Sequence, residues 1–241
     1  MIKYFKKRFY KDVSIRKIED KFFIELDNEI LKTPLNRDLA VFSEDLAFFI
    51  ADEWRSQKDE IDLFTMPITR IVNSFLDKSE ENSKEIFQDL LSLLETDMLF
   101  YRVDSPRELV ERQSQRWDPL IDWMARVFGA NFILSRGISY KKQPLEAINA
   151  FSGALQKYNS QIMLSCLHMM ATFTNSVLVS LAVAENIISI NEAWEIAYLE
   201  EDWMNDYWGY DSEAQKRREF YFREINAVFT VLSVVKITKK I

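Results

Sequence analysis

Apolar and polar residues alternate along the first third of the chain, and then the period changes. The runs "VSIRKI" (13–18), "KFFIEL" (21–26) and "EILKTP" (29–34) read as short strands separated by "EDK" and "DN" turns. The alternation is expected to start near Phe9, and Pro34 stops the third run. Such strands form a meander with one buried and one wet face. From Ser43, a good helix N-cap, Leu46, Phe49, Ile50 and Trp54 recur at helical spacing and mark a buried face. Pro67 in "TMPITR" suits the first turn of the next helix. Beyond about residue 70, segments near 80–98, 106–128, 144–158, 161–184, 190–207 and 211–233 follow the 3.6-residue period. Breaks fall at "GANF", "SRGIS" and "WGYDSEA". The expectation is an α+β protein: a small β-rich N-terminal module with its first helix over 1–70, then a larger all-α helical domain over 71–241.

The longest uncharged run, Tyr158 to Ala184, has the length of a membrane span. Ser165, His168, Thr172, Thr174, Asn175, Ser176 and Ser180 interrupt it, which favours a buried helix at the centre of the helical domain. No integral membrane segment is expected; clean partition into the soluble fraction would dispose of a membrane-associated reading.

Composition narrows the classes. The 241 residues are 48% hydrophobic and 29% charged, enough to bury a real core. A net charge of −7 argues against a nucleic-acid binder and suits a partner with a basic surface. One cysteine, Cys166, forms no internal disulfide, and "MIKYFKKRFYKDVSI" lacks the apolar stretch of a secretory signal; both point to a reducing compartment.

Candidate chemistry is sparse. Gly129, Gly137, Gly153 and Gly209 are too scattered for a phosphate-cradling loop, so no nucleotide cofactor is expected. His168, the only histidine, sits among apolar residues and reads as a hydrogen-bonded core histidine; Cys166, two residues away, lies on another helix face. Neither a carboxylate-bundle metal motif, a zinc cluster nor an EF-hand spacing occurs, so no metal is expected. Paired carboxylates remain. Glu200 and Glu201 are adjacent and project about 100° apart on a helix. A carboxylate-dependent hydrolase using Glu200 or Glu201 with a distant acid is the enzyme alternative. Trp54, Trp117, Trp123, Trp194, Trp203 and Trp208 are core residues by default, whereas an exposed Trp beside acids reads as an interface anchor.

Five separated stretches carry a resemblance across nearly the whole chain. They are "FYKDVSI", "LAFFIADEWRSQKDEID" running into "TMPITRIVNS", "ETDMLFYRVDSP", "QRWDPLIDWMARVFGA" and "EEDWMNDYWGYDSEA". In this order they resemble the ATP synthase assembly chaperone family that binds the alpha subunit of the catalytic F-one head. The resemblance implies a non-enzymatic protein that holds unassembled alpha subunits and yields to the beta subunit. It also implies the same β-rich and helical domains. The family's acidic stretch matches Leu199, Glu200, Glu201, Asp202 and Trp203, with Trp208 and Gly209 as its W-G pair. By that resemblance Glu200, Glu201, Asp202, Trp203 and Trp208 are the partner-binding residues. Glu53, Trp54 and Gln57 match an E-W-x-x-Q element and, with Trp117 and Asp118, form the structural motif. Two departures stand out. Met204 replaces a common Gln, which bears on the polar contacts of the site. Asn175 replaces Gly in a Thr-Gly-Ser step, which is expected to change only local helix packing. A monomeric, cytoplasmic bacterial member is expected, its eukaryotic relatives being mitochondrial.

Overall fold

A computed structural model describes residues 6–77 and 83–238. Residues 1–5, part of the basic start, lie outside the described residues, as does the beginning of the helix expected near 80–98. The fold is α+β, a small antiparallel sheet followed by helices, as the change of period indicates. By packing, the chain divides into two compact units. Among the described residues, 6–77 group with 227–238 in the first, and 83–226 form the second.

In the first unit, β1 is Lys6–Lys7. The chain then leaves extended pairing until β2, Val13–Ile18. The alternation expected from Phe9 fails for a local reason. The Arg8 side chain donates to the carbonyls of Tyr10, Lys11 and Gln57, giving this stretch partners that a strand neighbour would otherwise supply. Strand β3, Lys21–Leu26, pairs antiparallel with β2, Ile15 opposite Ile24 and Val13 opposite Leu26. Asp27 and Asn28, with φ of 51° and 71°, make the two-residue turn into β4, Glu29–Ile30. Asn and Asp tolerate this left-handed geometry better than other non-glycine residues. Strand β5, Ala40–Val41, pairs with the start of β3.

Helix α1, Glu44–Arg55, packs on this sheet. Ser43 caps it, its hydroxyl accepting from Leu46 N. The buried stripe is Leu46, Ala47, Ile50, Ala51 and Trp54. Phe49, expected on that face, is 38% exposed, and Phe48 is also exposed. At about 100° per residue the stripe centres roughly 130° away from both. Strand β6, Glu60–Ile61, closes on β1, and α2, Pro67–Asp77, begins at the expected proline.

The second unit starts with α3, Ser83–Leu94. Strand β7, Tyr101–Arg102, pairs parallel with β8, Ser135–Arg136, and between them runs α4, Arg107–Phe128. Helix α5, Leu145–Leu155, precedes the long uncharged run. There the pattern predicts one helix over 161–184, but the chain forms two: α6, Gln161–Thr174, and α7, Val177–Ala184. Asn175 sits between them at φ 51°, and Ser176 caps α7. The fully buried Asp97 carboxylate accepts from Ser176 Oγ at 2.9 Å and Leu178 N at 3.1 Å, and its other oxygen accepts from Leu99 N. These contacts satisfy helix-end donors that would otherwise be buried unpaired. Asn175 itself holds a left-handed φ, which Asn accepts more readily than other non-glycine residues. Cys166 is a buried free thiol whose pKa burial pushes up, while His168 is half-buried rather than in the core. No helix of the described residues is long and apolar enough to cross a membrane.

The run expected at 190–207 also divides, into α8, Ile190–Ala197, and α9, Leu199–Trp208. A capping box of Ser189 and Glu192 starts α8, and Tyr198 joins the two helices. Helix α10, Ser212–Thr238, completes the chain.

Candidate functional site

The acidic stretch occupies α9 and the turn after it. Glu200, Glu201 and Asp202 fill the first turn, where carboxylates complement the helix dipole. Gly209 ends the helix at φ 83°, a conformation that favours glycine. Asp211 Oδ1 accepts from Glu213 N at 2.7 Å and Ala214 N at 3.1 Å, which caps α10 and holds the Asp211 carboxyl below its ordinary pKa.

Two faces of α9 do different things. One is fastened to α4. Gln113 Nε2 donates to Glu200 Oε1, Arg112 pairs with Asp206 at 3.2 Å, and Tyr207 Oη donates to Glu108 Oε2 at 2.9 Å. Trp203 is half-buried and packs against the Tyr207 ring at 4.6 Å. The other face looks across a groove of about 360 Å³ toward α10. Glu201, Asp202, Asp211, Arg218 and Glu219 line it, with Trp194 and Phe222 among its apolar residues. The Trp194 and Phe222 ring centroids are 5.2 Å apart, and the Tyr198 ring lies 4.1 Å from that of Trp194. Arg218 forks onto both Asp202 oxygens, Nη2 to Oδ2 at 2.9 Å, and lies 3.7 Å from Glu201 Oε1. Toward the end of α9 and after it, Met204, Trp208 and Tyr210 are exposed, Trp208 by 84%, and Tyr210 lines the groove; Tyr207 is exposed on the face tied to α4.

The structure thus brings Glu201 and Asp202 together at one groove. It turns Glu200 toward α4, packs Trp203 on Tyr207 of its own helix, and leaves Trp208 open to solvent. Four tryptophans, Trp54, Trp117, Trp123 and Trp194, are buried.

The E-W-x-x-Q element lies in the first unit and faces inward. Glu53 accepts from Ile68 N and Thr69 N, both at 2.7 Å, and from Thr69 Oγ1 at 2.6 Å. It caps α2 from a neighbouring helix. Burial raises its pKa, and these hydrogen bonds oppose the rise. The Trp54 ring meets Tyr10 edge-on at 5.6 Å, and Tyr10 Oη donates to the Trp54 carbonyl at 2.7 Å. Gln57 accepts from Asp62 N at 2.8 Å and donates to Thr65 Oγ1 at 3.1 Å, bracing the connection into α2. In the second unit, Trp117 Nε1 donates to the Ile196 carbonyl at 3.2 Å, and Asp118 pairs with Arg102 at 2.8 Å. Burial lowers the Arg102 pKa, against the Asp118 charge that raises it. Among the described residues no group of His, Cys, Asp and Glu is arranged to hold a metal ion.

Sequence reasoning missed Arg218, Asp211 and Gln113. A signal for Arg218 exists: residues 202 and 218 stand symmetrically about Tyr210, as pairing across a helical hairpin requires. Gln113 gives no such signal, being 87 residues from Glu200.

Comparison with known proteins agrees across the chain. Residues 7–125 match the family model described as ATP12 chaperone protein. The match ends within α4, before the acidic stretch. Three solved structures extend it. The Atu1473 protein, a putative chaperone from Agrobacterium tumefaciens, is 40% identical. The likeness covers 96% of this chain and 87% of that one, with a TM-score of 0.90. Atp12 from Paracoccus denitrificans is 29% identical over 94% of this chain and 97% of that one, with a TM-score of 0.83. A single-substitution variant of the Paracoccus protein gives the same identity and coverage, with a TM-score of 0.80.

Proposed function

The chain belongs to the ATP12 chaperone family, and from that premise we propose that it serves assembly of the ATP synthase catalytic head by binding unassembled alpha subunits. The observation that carries the proposal is the corner between α9 and α10. Three large exposed side chains, Met204, Trp208 and Tyr210, accompany the groove carboxylates Glu201, Asp202 and Asp211, and Tyr210 lines the groove itself. A subunit awaiting its neighbour exposes apolar surface, and such surface aggregates. Aromatic anchors cover it at low entropic cost, and an acidic rim selects a basic partner surface and fixes register. Glu201, Asp202 and Trp208 make the contacts in this reading, while Glu200 and Trp203 hold α9 in place.

Release needs no nucleotide if the beta subunit competes for the same surface of the alpha subunit. The reading carries with it a non-enzymatic, cofactor-free monomer working in a bacterial cytoplasm. Hydrolysis is less well supported. Opposed catalytic carboxyls need separate environments across a cleft. Here Glu201 and Asp202 face one shared guanidinium, and Glu200 is engaged by Gln113.

The test is a pull-down with purified alpha subunit, paired with light scattering of heat-stressed alpha subunit without ATP. A stable complex and suppressed scattering are expected. Absent alpha binding, or equal binding of beta and unrelated proteins, would contradict the proposal.

A further inference from the structure

The groove between α9 and α10 already holds a cation, and it is the chain's own. The Arg218 guanidinium contacts both oxygens of Asp202, approaches Glu201, and lies 4.6 Å from the centre of the Tyr198 ring. A two-point fork onto a carboxylate over an aromatic face is how an arginine from a partner protein is recognised. Yet this one arginine does not balance the site. Four carboxylates line the groove, Glu201, Asp202, Asp211 and Glu219, against Arg218 alone, which leaves three negative charges in excess. Arg217 acts on Asp211 from outside the lining. The apolar floor and the exposed stripe of Met204, Trp208 and Tyr210 add room for an uncharged side chain next to a charged one.

We propose that Arg218 is a placeholder, and that the groove's client ligand is an arginine side chain with an apolar neighbour, presented by the alpha subunit. The incoming guanidinium takes over Asp202 and Glu201 while Arg218 swings out to solvent. This rests on the reading that the corner holds the alpha subunit. It adds what the client must present and which residue guards the place. The exchange has a physical advantage. Asp202 and Glu201, with side chains 38% and 44% exposed, keep a cationic partner throughout the exchange. Swapping one fork for another is nearly neutral, so affinity comes from the excess charge and the apolar contact. The complex stays reversible, as release by competition requires.

Isothermal titration with two probes tests this: purified alpha subunit and the capped dipeptide N-acetyl-Arg-Phe-amide. Arg218→Met is compared with Lys216→Met, which removes the same charge outside the groove lining, and with Asp202→Asn. Removing the placeholder should tighten both probes by roughly three- to tenfold, the scale of a partly exposed ion pair. Lys216→Met should stay within about twofold at physiological salt, and Asp202→Asn should weaken both probes. Equal or weaker binding by a folded Arg218→Met protein overturns the placeholder, as does equal tightening by Lys216→Met. Should Arg218→Met fail to fold, the wild-type protein decides. The Arg218 Nε–H resonance should shift at dipeptide saturation, and no shift, or no dipeptide binding, overturns the inference. If the dipeptide binds as expected and the alpha subunit does not, the client reading fails and the groove inference stands. If the alpha subunit binds wild type and Arg218→Met alike, the reverse holds.

Discussion

Helix α1 and helix α9 each set an acid against a tryptophan, and they put the pair to opposite uses. In α1 the pair is Glu53 and Trp54, both turned inward. Trp54 is 7% exposed, and the carboxylate serves as the N-terminal cap of α2. In α9 the acids of the first turn face a groove or a neighbouring helix, and Trp208 at the far end is open. The residue types match, and the surroundings differ. Helix α1 has a wide apolar stripe, Leu46, Ala47, Ile50 and Ala51, that draws the whole face into a core. Among the residues of α9 only Leu199 is buried. An acid beside a tryptophan is therefore not a functional signature by itself. The apolar context along the same helix decides whether the pair builds the fold or meets a partner.

Mutation separates the two uses. The largest effect is expected at Trp54→Ala, a loss of about 3–5 kcal/mol, because the cavity it leaves cannot refill. Chemical denaturation reads this directly, and a loss below about 1 kcal/mol would place Trp54 in the same category as Trp208.

A second buried acid extends the comparison. Burial raises the Asp97 pKa to about 6, against the hydrogen bonds from Leu178, Leu99, Ser176 and Val177. Below about pH 4 folded and unfolded chains both hold its proton. Between about 4 and 6 only the folded chain does, so wild type loses stability relative to Asp97→Asn as pH rises through that window. The difference should be on the order of 3 kcal/mol and level off above it. Parallel stability–pH curves for the two proteins would show that Asp97 is not a titrating group there.

Next comes Glu53→Ala, which strands two backbone donors and the Thr69 hydroxyl, for a loss of about 1–3 kcal/mol. The smallest stability effects belong to Glu201→Lys and Trp208→Ala, within about 0.5 kcal/mol by thermal unfolding. Unfolding of either protein would make the α9 residues structural and erase the contrast with α1.

Much of this fold is legible in the amino-acid sequence. The Asp27-Asn28 turn, the Ser43 cap and the change of period near residue 43 are local signals, and local chemistry determines them. What escapes is set by distant residues. The uncharged run breaks at Asn175 because Asp97, 79 residues from Ser176, provides acceptors for the new helix start. Phe49 fits a loose apolar spacing, yet the stripe centred on Leu46, Ala47, Ile50 and Ala51 turns it outward. At the candidate site the acids are plain in the sequence, while their cation is not. Arg218 sits on the next helix and meets Asp202 only once the turn at Gly209 folds α10 back.

Whether the open corner of α9 is the surface that meets the alpha subunit is decided by one titration. Purified alpha subunit, without nucleotide, is titrated into wild type and into a Glu201→Lys/Trp208→Ala double variant. Wild type is expected to bind, and the double variant to melt within a few degrees of it while losing at least about tenfold in affinity. A folded double variant that binds the alpha subunit as tightly as wild type would contradict that assignment.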